Sequence, residues 1–300
     1  MPRKKVDMHR FRDHINVCTN NMVSPMRDYA QPSSMTEALA HRAAGFRILA
    51  GGTDLYPGAE ATLAGPMLDL TGLSGLQGIV MQDGALRIGA CTTWASIAEA
   101  QLPPALACLQ QAALQVGGRQ IQTAGTIGGN LCNASPAADG VPPLLVLGAE
   151  VELASPLGTR RLPLQAFITG PRQTVLAGNE ILTAVWIPSA GLLGQSAFLK
   201  LGARAYLVIS IAMVAVRLVV DHGRVAEAFL AVGSCSGVAQ RLQGVEAKLI
   251  NAPVSSVIRC IRDADVAAAL APIDDIRATA VYRATAAAEL LRRAMAGVLA

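Results

Sequence analysis

The spacing of apolar and polar residues predicts a mixed α and β chain whose regular structure begins near residue 34. Residues 34–37, Ser-Met-Thr-Glu, carry the pattern of a capped helix start, and Gly45 is a typical helix stop. The apolar run 46–50 predicts a strand leading into Gly-Gly-Thr-Asp, and residues 67–70 predict a second strand. The chain is therefore expected to open with a βαβ-like unit that has a glycine turn at a strand end.

Turn and cap residues divide the following segment into hairpins and helices. Asp83-Gly84 is typical of a tight hairpin turn. A glycine-rich stretch, residues 117–130, follows the second predicted helix. The predicted elements are hairpin strands at 79–80 and 86–88, helices at 92–100 and 105–116, and hairpin strands at 150–153 and 160–162.

The pattern changes near residue 196, where longer apolar runs begin. The run from Leu207 to Val220 contains Arg217 and is too short to span a bilayer, so it predicts a buried strand or strand pair. We expect residues 196–300 to form a C-terminal domain of antiparallel sheet and helices. Its predicted strands are 198–201, 209–220 and 225–232, with a turn at His222-Gly223, and its predicted helical stretch is 262–299.

Composition places the chain among globular proteins of more than one domain. It has 300 residues, of which 52% are hydrophobic and 15% charged. Residues 1–25 are charged and lack periodicity, which predicts a flexible N-terminal extension. The fold class is therefore predicted as α+β, with a first domain at residues 26–195, made of two subdomains divided near residue 80, before the C-terminal domain.

Charge and cysteine usage exclude several function classes. The net charge is +4, aromatic residues are 4%, and no basic stripe is present, so nucleic-acid binding is not indicated. The six cysteines form no Cys-x-x-Cys pair and no group of four with ferredoxin spacing. We therefore expect no metal site in this chain, and scattered cysteines without a signal-peptide pattern favour a soluble, cytoplasmic protein. No histidine lies in a triad-like pattern.

Two glycine-rich segments are candidates for ligand binding. At residues 51–54, Gly-Gly-Thr-Asp at a strand end can expose consecutive N–H groups as an anion nest suited to a diphosphate. An ordinary turn is the alternative there. At residues 125–130, Gly-Thr-Ile-Gly-Gly-Asn is dense in small and hydrogen-bonding residues, and Asp139 follows as an acceptor for sugar hydroxyls. A structural segment rich in loops is the alternative for this second site.

Together the two segments resemble the FAD-binding subunits of the xanthine dehydrogenase and carbon monoxide dehydrogenase class of molybdenum hydroxylases. The resemblance covers most of the chain from Met26 onward. It rests on five blocks in order: Ala-Gly-Gly-Thr-Asp-Leu at 50–55, Leu-Arg-Ile-Gly-Ala at 86–90, Thr-Ile-Gly-Gly-Asn-x₈-Asp at 126–139, Asn-Glu-Ile-Leu at 179–182, and Phe-Leu-Lys-Leu-Gly-Ala-Arg at 198–204.

The resemblance implies a bipartite FAD-binding domain like that of vanillyl-alcohol oxidase, followed by a domain like the CO dehydrogenase flavoprotein C-terminal domain. Asp139 would bind a hydroxyl of FAD, Leu182 would pack against the flavin, and Lys200 would lie near the flavin and favour its reduced, anionic state. An ordinary solvated lysine at a strand edge is the alternative for Lys200. The residues implied to wrap the diphosphate are Ile48, Leu49, Ala50, Gly51, Gly52, Thr53, Asp54, Leu55, Thr126, Ile127, Gly128, Gly129 and Asn130.

The resemblance also implies an electron-transfer role within a larger complex. Electrons would arrive from a small [2Fe–2S] subunit, a large molybdopterin subunit would hydroxylate the substrate, and NAD or another acceptor would take the electrons. Relatives suggest a dimer of heterotrimers. Two alternatives stay open, a self-contained FAD-dependent oxidoreductase of the same fold and a non-catalytic assembly subunit without FAD.

Overall fold

The computed structural model describes residues 29–59, 63–205 and 207–300. The extension predicted for residues 1–25 lies outside the described residues. The strands are β1 Tyr29–Ala30, β2 Arg47–Leu49, β3 Met67–Asp69, β4 Ile79–Gln82, β5 Ala85–Gly89, β6 Glu150–Ser155, β7 Gly158–Pro163, β8 Ile168–Gly170, β9 Gln173–Thr174, β10 Ile181–Ile187, β11 Gln195–Leu201, β12 Ala212–Asp221, β13 Arg224–Gly233 and β14 Gln240–Arg241.

Ten α-helices accompany these strands in the described part of the chain. None of them is long and apolar enough to cross a membrane. The helices are α1 Met35–Ala43, α2 Trp94–Glu99, α3 Ala107–Gln115, α4 Arg119–Ala124, α5 Ile127–Asn133, α6 Val141–Val146, α7 Leu164–Phe167, α8 Gln243–Leu249, α9 Asp263–Ala268 and α10 Ala280–Leu299.

A small parallel sheet forms the start of the described fold. Its order is β1-β3-β2, and both outer strands run parallel to β3. The predicted helix cap is confirmed, because Ser34 Oγ accepts a hydrogen bond from the amide of Glu37 at 3.2 Å. The predicted helix and both predicted strands are present as α1, β2 and β3, and β1, which was not predicted, completes the βαβ-like opening with β3 between β1 and β2. This arrangement brings residues 50–55 to the carboxyl end of β2.

A five-stranded antiparallel sheet follows, in the order β4-β5-β10-β6-β7. Both predicted hairpins are present as β4–β5 and β6–β7. The strand β10 is buried along its whole length at the centre of this sheet. The main hydrophobic core lies between this sheet and helices α2, α3, α5 and α6.

The C-terminal part contains a four-stranded antiparallel sheet in the order β11-β12-β13-β14. Met213 and Ala215 face the main core, whereas Val214 and Val216 face a second core formed with α8, α9 and α10. Burial on both faces explains why β12 reads as an almost continuous apolar run. Arg217 is buried in this strand because its guanidinium donates to the carbonyl oxygens of Val146, Ala190 and Leu193.

Three predicted elements differ from the structure. The strand expected at 209–220 begins only at Ala212, and Leu207 and Ile209 before it are exposed. The helical stretch 262–299 is divided between α9 and α10 by a segment containing Pro272, whose ring interrupts helical hydrogen bonding. The glycine-rich stretch 117–130, for which a segment rich in loops was one alternative, contains α4 and the start of α5, and Thr126 caps α5 in spite of the glycines that follow.

Candidate functional site

A cavity of about 560 Å³ lies between the two glycine-rich segments. Its volume is within the range of cofactor and ligand sites. The cavity wall includes thirteen of the sixteen residues expected at the site: Ile48, Ala50, Gly51, Gly52, Thr53, Asp54, Leu55, Thr126, Gly128, Gly129, Asn130, Asp139 and Leu182.

The other three expected residues lie outside this wall. Leu49 is buried in β2, and Ile127 belongs to the main hydrophobic core. Lys200 lines a second, smaller cavity and reaches the first through an ion pair with Asp139. Leu49 and Ile127 therefore support the two segments from behind, whereas Lys200 contacts a residue of the wall.

Residues 51–55 line the cavity, and their backbone amides are unpaired in the described residues. Within the described part of the chain, none of their N–H groups donates a hydrogen bond to a protein acceptor. Gly52 has φ +70°, a conformation that glycine adopts without strain. Unpaired consecutive amides next to a glycine of positive φ are features that anion nests share.

Gly51 and Gly52 are required for different reasons. A Cβ on Gly51 would overlap the carbonyl oxygen of Ala124, so the strand end and the turn before Gly125 are in direct contact. A Cβ on Gly52 would overlap the ring of Tyr56 and would also be strained by the positive φ. Gly51 thus allows the two glycine-rich segments to meet, and Gly52 allows the backbone to turn beneath the Tyr56 ring.

The second segment, which the resemblance also placed around the diphosphate, hydrogen-bonds the amides of residues 127–129 within the protein. The amide of Ile127 donates to Thr92 O at 3.0 Å, and that of Gly128 to Ala90 O at 2.8 Å. The amide of Gly129 donates to the capping hydroxyl of Thr126 at 3.1 Å. The amides of Gly128 and Gly129 are therefore not available to an anion, because the helix cap and the strand end already satisfy them.

Gly128 and Asn130 contribute to the cavity in other ways. A Cβ on Gly128 would lie 2.7 Å from Ala90 O, so this glycine permits close packing of α5 on the end of β5. Asn130 Oδ1 is buried and finds no hydrogen-bond donor in the described part of the chain. An unpaired buried acceptor beside the cavity is expected to be satisfied by a bound molecule or by water.

Asp139 is held by two side chains from the C-terminal part. Lys200 Nζ donates to Asp139 Oδ2 at 2.7 Å, and Ser210 Oγ donates to Asp139 Oδ1 at 3.0 Å. Burial raises the pKa of Asp139, and the charge of Lys200 with both hydrogen bonds opposes that rise. A carboxylate has further lone pairs, so Asp139 can still accept from a ligand hydroxyl.

Lys200 is not a solvated residue. Its side chain is only 6% exposed although β11 is an edge strand, and its ammonium also donates to Gln115 O at 3.2 Å. The alternative of an ordinary solvated lysine is therefore wrong. No local sequence pattern predicts this pairing, because Asp139 and Lys200 are distant in sequence and meet only through tertiary packing.

Two residues of the wall, Arg42 and Trp94, were not among the expected site residues, and neither was Ser210, which contacts Asp139 from outside the wall. Arg42 lines the cavity while donating to Glu180 O and Phe46 O, and a basic residue in the last turn of α1 was the available signal. Trp94 is the first residue of α2, follows the cap residue Thr93 and is buried in the wall, where its ring lies against Gly125. Ser210 could have been noticed as the one polar residue within the apolar run 207–214.

The cavity carries few groups that could act as acid or base. Its wall in the described residues contains two carboxylates, Asp54 and Asp139, and no histidine. Burial raises the pKa of the thiols of Cys91 and Cys132 to about 12, so both stay protonated at neutral pH. This chemistry suits a site that holds a redox cofactor rather than one that reacts through its own side chains.

The residues present fit the FAD that the sequence led us to expect. The amides of residues 51–55 match the negative charge of a diphosphate, and the buried Asn130 Oδ1 and the Asp139 carboxylate offer acceptors for hydroxyl or amine groups. The apolar side chains of Ile48 and Leu182 offer surface for ring packing.

Comparison with known protein families agrees with this fit. Residues 22–190 match the family described as FAD binding domain in molybdopterin dehydrogenase. Residues 197–298 match the family described as CO dehydrogenase flavoprotein C-terminal domain. The two matches together span the described fold from β1 to α10.

Curated relatives and solved structures point the same way. The xanthine dehydrogenase FAD-binding subunit of Escherichia coli O157:H7 is 34% identical over 215 residues, covering 70% of this chain and 73% of that protein. The nicotine 6-hydroxylase medium subunit of Paenarthrobacter nicotinovorans is 32% identical over 281 residues, covering 91% of this chain and 97% of that protein.

Among solved structures, CO dehydrogenase from Oligotropha carboxidovorans superposes with a TM-score of 0.81 at 29% identity, covering 90% of this chain and 96% of that chain. Quinoline 2-oxidoreductase from Pseudomonas putida 86 superposes with a TM-score of 0.80 at 25% identity and the same coverage. The chain belongs to the FAD-binding medium subunits of the molybdenum hydroxylase family, and it is an oxidoreductase subunit whose cofactor is FAD.

Proposed function

We propose that this subunit transfers electrons from a small [2Fe–2S] subunit to NAD or another acceptor, within a complex whose large molybdopterin subunit hydroxylates the substrate. Bound FAD would supply the redox chemistry. The chain's own contribution is to bind and orient the cofactor and to surround it with fixed charges. The absence of a histidine from the described cavity wall supports this division of labour.

Within the cavity, we assign the cofactor diphosphate to the amides of residues 51–55. The unpaired state of these amides is the single observation that carries the proposal. Asp139 would accept from a hydroxyl of FAD, Leu182 would pack against the flavin, and Lys200 would act through its ion pair with Asp139. The remaining proposed contacts are those of Ile48, Leu49, Ala50, Thr126, Ile127, Gly128, Gly129 and Asn130, of which Leu49 and Ile127 would act from behind the wall.

The partner subunits are inferred from the relatives. Two of these are a "medium subunit" and a "medium chain", names that belong to proteins of several subunits. A dimer of heterotrimers in the cytoplasm is the proposed assembly. The thiols of the described residues, at positions 91, 108, 132, 235 and 260, are all free, which is typical of a reducing compartment.

We also propose domain boundaries for this chain. The FAD-binding domain would span residues 26–195, with subdomains divided near residue 80 between the parallel and the five-stranded sheets. The C-terminal domain would span residues 196–300. The start of β11 at Gln195 and the family match that begins at residue 197 support the second boundary.

Native purification of the tagged chain tests the electron-transfer proposal. We expect flavin absorbance together with iron–sulfur absorbance, and iron and molybdenum in stoichiometric amounts by metal analysis. Reduction by substrate added to the complex should then reach the flavin. Flavin bands without any iron or molybdenum, combined with substrate oxidation by the chain alone, would instead identify a self-contained flavoenzyme.

A Lys200→Met variant tests the charge near the cofactor. Because the variant removes a positive charge beside Asp139, we expect a lower midpoint potential of the bound flavin, measured by redox titration with dye mediators. Lys248→Met is a suitable control, because Lys248 pairs with Asp265 away from the cavity wall. An unchanged potential in a Lys200→Met protein that binds FAD would contradict the role of Lys200.

A further inference from the structure

A chain of polar contacts runs from the FAD cavity into the C-terminal part of the protein. It begins at Asp139, whose Oδ1 accepts the hydroxyl of Ser210 at 3.0 Å. Ser210 is almost completely buried, at 1% exposure, and lies two residues before β12. Its hydroxyl can point at Asp139 only if the backbone at this position is held in place.

Hydrophobic burial anchors that backbone on its C-terminal side only. Ile211 is buried, whereas Leu207 and Ile209 before Ser210 are 59% and 63% exposed and provide little anchoring. The amide of Ile211 donates to Leu201 O at 2.8 Å and ties this backbone to β11. The carbonyl groups of Ser210 and Ile211 still need donors of their own.

Two arginines supply these donors. Arg277 Nη1 donates to Ser210 O at 3.0 Å, and Arg283 Nη1 donates to Ile211 O at 2.6 Å. Consecutive carbonyl groups of the chain are thus held by guanidinium groups that lie about 70 residues later in the sequence.

Asp275 joins the two arginines. Its Oδ2 accepts from Arg277 Nη2 at 2.6 Å, and its Oδ1 accepts from Arg283 Nη2 at 2.6 Å. The hydrogen bonds from Arg277, followed by that from Arg283, hold the pKa of Asp275 far below its usual value, so the carboxylate stays charged. We refer to Asp275, Arg277 and Arg283 as the clasp.

We infer that the clasp is a positioning device for the FAD site, which fixes Ser210 so that its hydroxyl orients the Asp139 carboxylate toward the cofactor. Without Ser210, Asp139 would have Lys200 as its remaining side-chain donor and could turn both oxygens toward the ammonium. The acceptor offered to the cavity would then point elsewhere. This inference rests on the proposed role of Asp139 as a ligand of FAD.

The experiment compares FAD affinities in the full-length chain, with FAD itself as the titrant and flavin fluorescence as the signal. Arg277→Ala removes the donor to Ser210 O, and we expect FAD to bind about two- to tenfold more weakly, as for the loss of one hydrogen bond. Arg277→Lys keeps a donor and should restore part of the affinity. If the alanine variant does not fold, Arg277→Met, which keeps the length of the side chain and has no donor, takes its place.

Arg292→Ala is the matched control. Arg292 lies on α10 and also donates to a carbonyl, that of Ile261, and pairs with Asp263 at 2.6 Å, but it has no contact that leads to Asp139. We expect this variant to lose a similar amount of thermal stability and to keep its FAD affinity. An equal loss of affinity in both variants would show a general effect on stability and would overturn the inference.

A double-mutant cycle separates positioning from general weakening. Because the clasp is inferred to act through Ser210, Arg277→Ala should weaken FAD binding little further in a Ser210→Ala background. Additive effects would overturn the inference. Asp139→Asn distinguishes failure of the clasp inference from failure of the proposed role of Asp139. If Asp139→Asn weakens FAD binding and Arg277→Ala does not, only the clasp inference fails. If neither variant weakens FAD binding, the proposed role of Asp139 fails as well.

Discussion

Residues 51–55 and 125–130 read alike in the sequence, and the fold uses them in opposite ways. Both contain Gly-Gly, a threonine and a polar residue, and both border the same cavity. In the first segment the amides are unpaired within the described residues. In the second the amides of Ile127, Gly128 and Gly129 are bound to Thr92 O, Ala90 O and Thr126 Oγ1.

The difference shows that glycine density does not by itself indicate an anion nest. An amide can serve a ligand only if the fold leaves it unpaired, and a helix cap removes that possibility for the first turn of α5. In the second segment glycine instead allows α5 to lie against the end of β5. The first segment would therefore bind by hydrogen bonds, and the second by shape and by the Asn130 side chain.

Gly51→Ala should produce the largest effect. Its Cβ would overlap the backbone of Ala124, which cannot move aside as a flexible side chain could. We expect a loss of about 2–3 kcal/mol in the free energy of unfolding, measured by chemical denaturation of the FAD-free protein. Gly75→Ala is the control, since a Cβ there meets nothing within 4 Å. Equal stability of the two variants would show that the segments do not meet as described.

Gly52→Ala should act on the cofactor more than on the fold. The change strains a residue with φ +70° and displaces the exposed ring of Tyr56, and together these should cost about 1–2 kcal/mol of stability. Because it also alters the backbone that carries the unpaired amides, we expect FAD to bind roughly tenfold or more weakly in a fluorescence titration. Gly65→Ala carries a similar strain at φ +79° in open surroundings and should leave FAD affinity unchanged. Weak binding in both variants would contradict the assignment of the nest.

The sequence was sufficient for the elements whose signals are local. The cap at Ser34, the Asp83-Gly84 turn and both hairpins were predicted from a few neighbouring residues. The late start of β12 was not, because exposed Leu207 and Ile209 are apolar and resemble strand residues. Hydrophobic pattern records which residues can be buried and does not record which ones the fold leaves at the surface.

The site was predictable to the level of segments and not of contacts. The cavity brings together residues near 50, 128, 139 and 182, as the resemblance implied. The pairing of Asp139 with Lys200 and Ser210 depends on how the C-terminal sheet packs against the first part of the chain. The same applies to the amide of Gly128, whose acceptor lies on Ala90. Such partners are set by tertiary structure, and no local pattern marks them.

Thr126→Val tests whether the second segment depends on its cap. The change removes the acceptor of the Gly129 amide and should lower the stability of the FAD-free protein by about 1 kcal/mol. Thr279→Val is the matched control, because Thr279 caps α10 in the same way, accepting from Tyr282 N at 3.2 Å. Both variants should lose similar stability, and only Thr126→Val should alter FAD affinity. An unchanged FAD affinity in Thr126→Val would mean that the conformation of α5 does not affect FAD binding.

Gly129→Ala should have the smallest effect on stability and bears most directly on the contrast between the segments. Gly129 is exposed at the cavity, and alanine is favoured over glycine within a helix by about 1 kcal/mol. The added Cβ would lie 3.0 Å from Thr126 Oγ1, a tight contact that offsets part of this gain, so stability should change by less than about 1 kcal/mol. If the segment binds by shape, the methyl group takes space that the cofactor needs, and FAD affinity should fall about two- to tenfold at unchanged stability. Unchanged affinity, measured by the same titration, would mean that FAD does not approach this turn and that residues 51–55 hold the diphosphate without it.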